Sequence, residues 1–227
     1  MRILGIAKAS LIDYPKKTST VLFIGGCNFR CGYCHNPQLV IEEGEEISQE
    51  DVFAFLKQRK RFLDGVVISG GEPTIHKALP IFIEKINNLG YAVKLDTNGT
   101  NPKVLAQLIA DRQLDYIAMD LKGSLDQYAD ICEVPFDTGA IGQSIKIIMN
   151  SGVDYEFRTT VCREYMTDDT LRALCGEIRG ASKYCLQSFK NPGTILRQDK
   201  QYSAYSEAEM RALGTIAEGY VKQVILR

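Results

Sequence analysis

Cys27, Cys31 and Cys34 stand in the stretch Gly26-Cys27-Asn28-Phe29-Arg30-Cys31-Gly32-Tyr33-Cys34-His35-Asn36-Pro37, a C-x3-C-x2-C spacing. Thiolates are soft ligands, and three this close together can each bind one iron of a cubane and leave the fourth iron without a protein ligand. An iron left open in that way is a place for a substrate or cofactor. The competing chemistry is zinc, held by the same three cysteines and His35, since zinc favours four nitrogen or sulfur ligands in a tetrahedron. Two features weigh against it. Zinc motifs usually come as two separated ligand pairs, and His35 directly adjoins Cys34, an awkward position from which to reach the same ion.

Further loops carry groups suited to a ligand. Ser69-Gly70-Gly71-Glu72-Pro73 holds two glycines, which let backbone approach a bound molecule closely, although alone it would read as an ordinary turn. Lys94-Leu95-Asp96-Thr97-Asn98-Gly99 ends in a common turn pair, and Met119-Asp120-Leu121-Lys122 ends in a pair of opposite charges. Taken together they bring Asp96, Asp120 and Lys122 to one region, both signs of charge being what a zwitterionic ligand needs. Two later positions stay open between readings. Arg158 either projects toward a cofactor or forms a paired charge on the outer face, and Gln187 is either a ligand contact or an ordinary polar strand end.

The elements that must position these residues follow from short β-branched or apolar runs alternating with longer segments of helical period. Strands are predicted over 20–24, 65–69, 92–97, 116–120, 155–160 and 184–187, with a last short strand within 221–226. Helices are predicted over 48–57, 76–88, 102–110, 138–150, 167–179 and 206–218, with Ser48 as a cap and Pro102 in a first turn. The fold class is α/β. About six βα units are too few to close an eight-stranded barrel, so an open, partial barrel is expected, with its chemistry at the carboxyl ends of the strands. The informative motifs fall there, after the first four predicted strands.

At 227 residues the chain is expected to form a single domain over 1–227. No apolar run approaches the roughly 18 residues that span a bilayer and no signal-peptide stretch opens the chain, so a cytoplasmic protein without a membrane partner is expected. With 27 basic against 28 acidic residues there is no electrostatic footprint for nucleic acid. Seven cysteines are an odd number, and Cys132, Cys162, Cys175 and Cys185 lie scattered, which is not a disulfide framework. These four are expected as small buried hydrophobes, leaving one cluster.

The cysteine loop after the first strand, followed by Gly70-Gly71-Glu72-Pro73, resembles the radical S-adenosylmethionine (SAM) superfamily. That resemblance implies a partial (βα)6 TIM-like barrel and one 4Fe-4S cluster on Cys27, Cys31 and Cys34. It also implies reductive cleavage of SAM to methionine and a 5′-deoxyadenosyl radical, the hard chemistry belonging to cluster and SAM rather than to a catalytic side chain. Gly70, Gly71 and Glu72 would then bind the SAM amino group, and Tyr33 would be a further contact.

Asp-Thr-Asn-Gly at 96–99 and Asp-Leu-Lys at 120–122 resemble the glycyl-radical-enzyme activating enzymes, and carry further expectations. Lys122 would meet the SAM carboxylate. Asp96, Asn98 and Gln187 would contact SAM, and a monovalent cation would sit near Asp96, Thr97 and Asp120. The opening Gly5-Ile6-Ala7-Lys8-Ala9-Ser10-Leu11-Ile12-Asp13-Tyr14-Pro15 and the later His35-Asn36-Pro37 are similar to the anaerobic ribonucleoside-triphosphate reductase activating proteins, although Lys16 stands where a glycine is expected. The implied partner is a glycyl radical enzyme, anaerobic ribonucleotide reductase, with flavodoxin or ferredoxin as reductant. Two other readings remain: a radical SAM enzyme acting on a small molecule, like 7-carboxy-7-deazaguanine synthase, and a zinc-binding protein without catalysis.

Overall fold

The computed structural model describes residues 1–191 and 193–227. Eight strands form one sheet in which each neighbours the next in sequence: β1 (Ile3–Ser10), β2 (Ser19–Ile24), β3 (Gly65–Gly70), β4 (Ala92–Thr97), β5 (Tyr116–Asp120), β6 (Asp154–Val161), β7 (Tyr184–Ser188) and β8 (Val224–Leu226). β1 runs antiparallel to β2 and all later pairs are parallel. The crossovers carry α1 (Pro37–Val40) and α2 (Gln49–Arg59), then α3 (Leu79–Asn88), α4 (Pro102–Ala110), α5 (Tyr128–Cys132) and α6 (Gly139–Met149), α7 (Asp168–Glu177) and α8 (Glu207–Glu218). Six strand-and-helix units from β2 to α8, closed by β8, make the open barrel expected of the sequence. No helix among the described residues is long and apolar enough to cross a membrane.

Local chemistry sets these elements. Ser48 caps α2 by accepting from the Asp51 amide, and Ser206 and Glu209 form a reciprocal capping box on α8. Proline in the first turn of α4 costs nothing, because that amide has no intrahelical partner. The alternation along the strands then sorts residues between two faces. Val66, Ile68, Val93, Leu95, Ile117, Met119 and Phe157 pack outward under the helices in the main core. Val21, Val67, Tyr116 and Ala118 form a second, smaller cluster with Tyr14 inside the barrel. The same inward face of β4 and β6 carries Lys94, Asp96, Glu156 and Arg158. The barrel interior is therefore only partly apolar, and its upper layers are ionic.

Four elements depart from expectation: β1, α3 and the two short helices α1 and α5, neither of which was anticipated. β1 was not anticipated, because Gly5, Ala7, Lys8 and Ala9 dilute any strand signal. It is held instead by pairing, from Ile3 opposite Ile24 to Ser10 opposite Ser19. α3 begins at Leu79 rather than near His76, since Pro73–Ile75 form a 3-10 turn capped by the Glu72 side chain.

Candidate functional site

A cleft of about 170 Å³ opens at the carboxyl ends of the strands, and all three motif cysteines line it. Gly70, Gly71, Asn98, Asp120 and Lys122 form its other walls, so the loops after β2, β3, β4 and β5 meet at one place. A larger hollow of about 600 Å³ lies at the opposite, amino end, between Tyr14, Lys16 and Lys183. Size does not mark the site here, since that hollow holds none of the carboxyl-end motifs.

The cysteine loop is built to present sulfur. Cys31 is buried, whereas Cys27 and Cys34 are partly exposed. The Phe29 amide donates to Cys27 Sγ at 3.4 Å. Burial pushes the Cys27 thiol up to about 12 and raises Cys34, while a hydrogen bond with the Cys132 thiol holds Cys31 low. Among the described residues no three Cys, His, Asp or Glu side chains form a ready-made chelating group. What the fold supplies is one short loop that turns three soft donors into one cleft. That donor set fits a 4Fe-4S cluster with one iron left open, and ligation would displace the thiol protons. The His35 ring stacks on Phe189 with centroids 5.3 Å apart.

The loop is fastened on three sides. The Arg30 amide donates to the Cys132 carbonyl at 2.8 Å, and the Arg197 amide to the Gly32 carbonyl at 2.9 Å. Asn98 Nδ2 donates to Asn28 Oδ1, and Asn28 Nδ2 to Thr100 Oγ1, both at 2.8 Å. Glu133 takes Arg197 at 2.6 Å and Lys200 at 2.7 Å, which holds the late segment against α5. Tyr33 reaches the cleft wall with its ring packed among Tyr165, Phe189 and Tyr202.

Gly70 and Gly71 present bare backbone for a steric reason. Gly70 has φ +117, a region that favours glycine, and a Cβ there would lie 2.4 Å from the Ile24 nitrogen and oxygen. A Cβ on Gly71 would lie 1.9 Å from the Gly26 carbonyl oxygen. Glu72 has a different task from its glycine neighbours. It is fully buried and outside the cleft wall; its carboxylate accepts from the Thr74 amide at 3.0 Å, the Thr97 hydroxyl at 2.8 Å, the Thr74 hydroxyl and the Asn98 amide. The side chain thus pins the loop after β3 to the loop after β4. Gly71→Ala is expected to lower folding stability by about 1–3 kcal/mol, the usual cost of overpacking, because the clash is with backbone. Urea unfolding of the two proteins measures it, and equal midpoints would contradict this packing.

Across β4, β5 and β6 runs a chain of alternating charge. Lys94 Nζ donates to Asp96 Oδ1 at 2.6 Å, Ser69 Oγ to Asp96 Oδ2 at 2.9 Å, and Arg158 reaches Asp96 Oδ2 at 3.3 Å. Arg158 Nε donates to Asp120 Oδ1 at 2.8 Å, and Lys122 Nζ stands 3.7 Å from Asp120 Oδ2. Burial alone would raise the carboxyls of Asp96 and Asp120, but Arg158, with Lys94 on one side and Lys122 on the other, holds both below the ordinary carboxylate range. Burial would likewise lower the Lys122 ammonium, and Asp120 with nearby Cys31 keeps it well above its ordinary value. Three cations face two carboxylates, so one positive charge is left over at the cleft.

Of the sequence-predicted residues, Cys27, Cys31, Cys34, Tyr33, Gly70, Gly71, Asn98, Asp120 and Lys122 share the cleft; Glu72, Asp96, Thr97 and Gln187 lie outside its lining. Thr160, in register with Gln187 on the adjacent strand, lines it instead. Sequence reasoning missed Thr160, and no motif marks it. It also read Cys132 only as a buried hydrophobe, whereas that thiol touches Cys31.

Against known proteins, the family model described as "Radical SAM superfamily" matches residues 21–176. A Methanocaldococcus jannaschii protein provisionally named a glycyl-radical enzyme activating enzyme is 35% identical over 228 aligned positions, covering 98% of this chain and 94% of that one. The 7-carboxy-7-deazaguanine synthase of Aquifex aeolicus is also 35% identical, but over 82 residues, 36% of each chain. Among solved structures, Streptococcus suis SuiB bound to its precursor peptide SuiA superposes with a TM-score of 0.70 at 15% identity, over 91% of this chain and 48% of that one, a likeness of fold.

Proposed function

Since this chain belongs to the radical SAM superfamily, we propose that it is an activase, which removes a hydrogen atom from a backbone glycine of a partner enzyme and leaves a glycyl radical there. The observation that carries this reading is the end-to-end match to a relative named for that activity, against a match of about a third of the chain to the small-molecule enzyme. When bound, the cluster supplies the electron that splits SAM into methionine and a 5′-deoxyadenosyl radical. The chain's own residues bind and orient. Cys27, Cys31 and Cys34 hold the cluster, and the backbone of Gly70 and Gly71 lies open to the SAM amino group. Lys122 brings the surplus positive charge to the SAM carboxylate, and Asn98 and Tyr33 complete the wall. Held in one geometry, cofactor and acceptor need no further ordering at the moment of reaction.

Ribonucleotide reductase of the anaerobic type is the partner we favour, on the similarity of residues 5–15 and 35–37 to that group of activases. A low-potential donor such as flavodoxin or ferredoxin would deliver the electron. The test uses anaerobically reconstituted, reduced protein given SAM, with and without a candidate reductase. The expected result is 5′-deoxyadenosine in both tubes and a glycyl radical resonance only with the reductase. Cleavage without that resonance for any glycyl radical enzyme would move the assignment to a small-molecule substrate, and one zinc per chain in place of iron would overturn both.

A further inference from the structure

The activating-enzyme resemblance brings with it a monovalent metal ion near Asp96, Thr97 and Asp120. Such an ion needs several oxygen ligands, carboxylates foremost, that are free to turn toward it. In this chain every one of those carboxylate oxygens except Asp120 Oδ2 accepts a hydrogen bond. Asp96 Oδ1 takes Lys94 at 2.6 Å, and Asp96 Oδ2 takes Ser69 at 2.9 Å and Arg158 at 3.3 Å. Asp120 Oδ1 takes Arg158 at 2.8 Å, and Oδ2 faces Lys122 at 3.7 Å. The Thr97 hydroxyl donates to Glu72 at 2.8 Å and accepts the Gly99 amide at 3.1 Å. Among the described residues, the group that bridges both carboxylates is the Arg158 guanidinium, whose side chain is 12% exposed and whose residue stands in register beside Asp120.

We propose that Arg158 is a built-in cation, filling the place between Asp96 and Asp120 that a monovalent metal ion would occupy, so that SAM binding by this protein requires no such ion. A guanidinium suits the task, because its planar fork donates to two carboxylates at once and keeps its charge at any working pH. By taking the nearer Asp120 oxygen it also leaves Lys122 only loosely paired, with its ammonium free for an acidic ligand. Arg158 is thus a positioning residue, acting on the cofactor through Asp120 and Lys122. The inference takes the place of the ion from the activating-enzyme resemblance, but its test reads SAM binding and not hydrogen transfer, so a failed search for a glycyl radical would leave it standing.

Equilibrium dialysis of SAM against the anaerobically reconstituted protein tests it, in potassium, sodium or tetramethylammonium chloride at one ionic strength. The wild type is expected to show the same SAM affinity in all three salts. Arg158→Gln in tetramethylammonium is expected to bind SAM about tenfold more weakly or worse, as removal of one partner from a buried charge pair does. Potassium or sodium, small enough to enter between the freed carboxylates, should restore part of that loss, and Arg158→Lys should lose less. A wild type whose affinity falls when potassium and sodium are withdrawn overturns the proposal without recourse to any variant. Unchanged affinity in Arg158→Gln, or a loss that no small cation restores, overturns it as well.

Discussion

Cys31→Ala is expected to abolish cluster assembly and SAM cleavage together. Iron and sulfide should fall from about four of each per chain to background after anaerobic reconstitution, because two cysteines cannot hold a cubane that already leaves one iron open. Among the three, Cys31 is the most deeply placed and has its own hydrogen-bonding neighbour in Cys132. The comparison to make is Cys175→Ala on α7, which also removes a buried thiol but from the main core. Full iron content and cleavage in that variant, beside none in Cys31→Ala, would assign the loss to ligation. Cleavage retained in Cys31→Ala would remove the basis of the enzymatic assignment.

Lys122→Ala should separate cofactor binding from cluster assembly. Iron content is expected to match the wild type, while SAM affinity drops about tenfold or more, the scale on which a mostly desolvated charge pair is lost. The argument is electrostatic. Asp120 is already satisfied by Arg158 at 2.8 Å, so removing the lysine 3.7 Å away strands no carboxylate. It does erase the surplus positive charge at the cleft, the feature that attracts an acid group. Equal affinity for SAM in the variant would show that another group receives the SAM carboxylate.

How far the sequence was legible follows from the range of the interactions. The parallel strands, the helix cap at Ser48 and the gathering of the motif loops at one end depend on patterns a few residues long, and they could be read directly. β1 could not, because its residues have weak strand preference and are ordered by a partner strand rather than by themselves. Arg158 was undecided for the same kind of reason. Its charge was visible, but its pairing with Asp96 spans 62 positions and depends on the register of β4, β5 and β6. Glu72 was grouped with the glycines beside it, yet its carboxylate turns inward to Thr74, Thr97 and Asn98; composition of a loop does not tell which side chains fasten it and which face the ligand.

The fastening of the cysteine loop by Leu196 and Arg197 makes its final shape depend on a segment far along the chain. The segment that braces the loop's carbonyls, with the Lys200 and Arg197 clasp on Glu133, lies more than 160 positions downstream of the three cysteines and is followed by α8 and β8. Until that segment is in place, the chain displays these thiols on a loop lacking its supports. A cluster inserted after residues 196–200 are in place would therefore meet a loop already braced, which is the expected order of assembly.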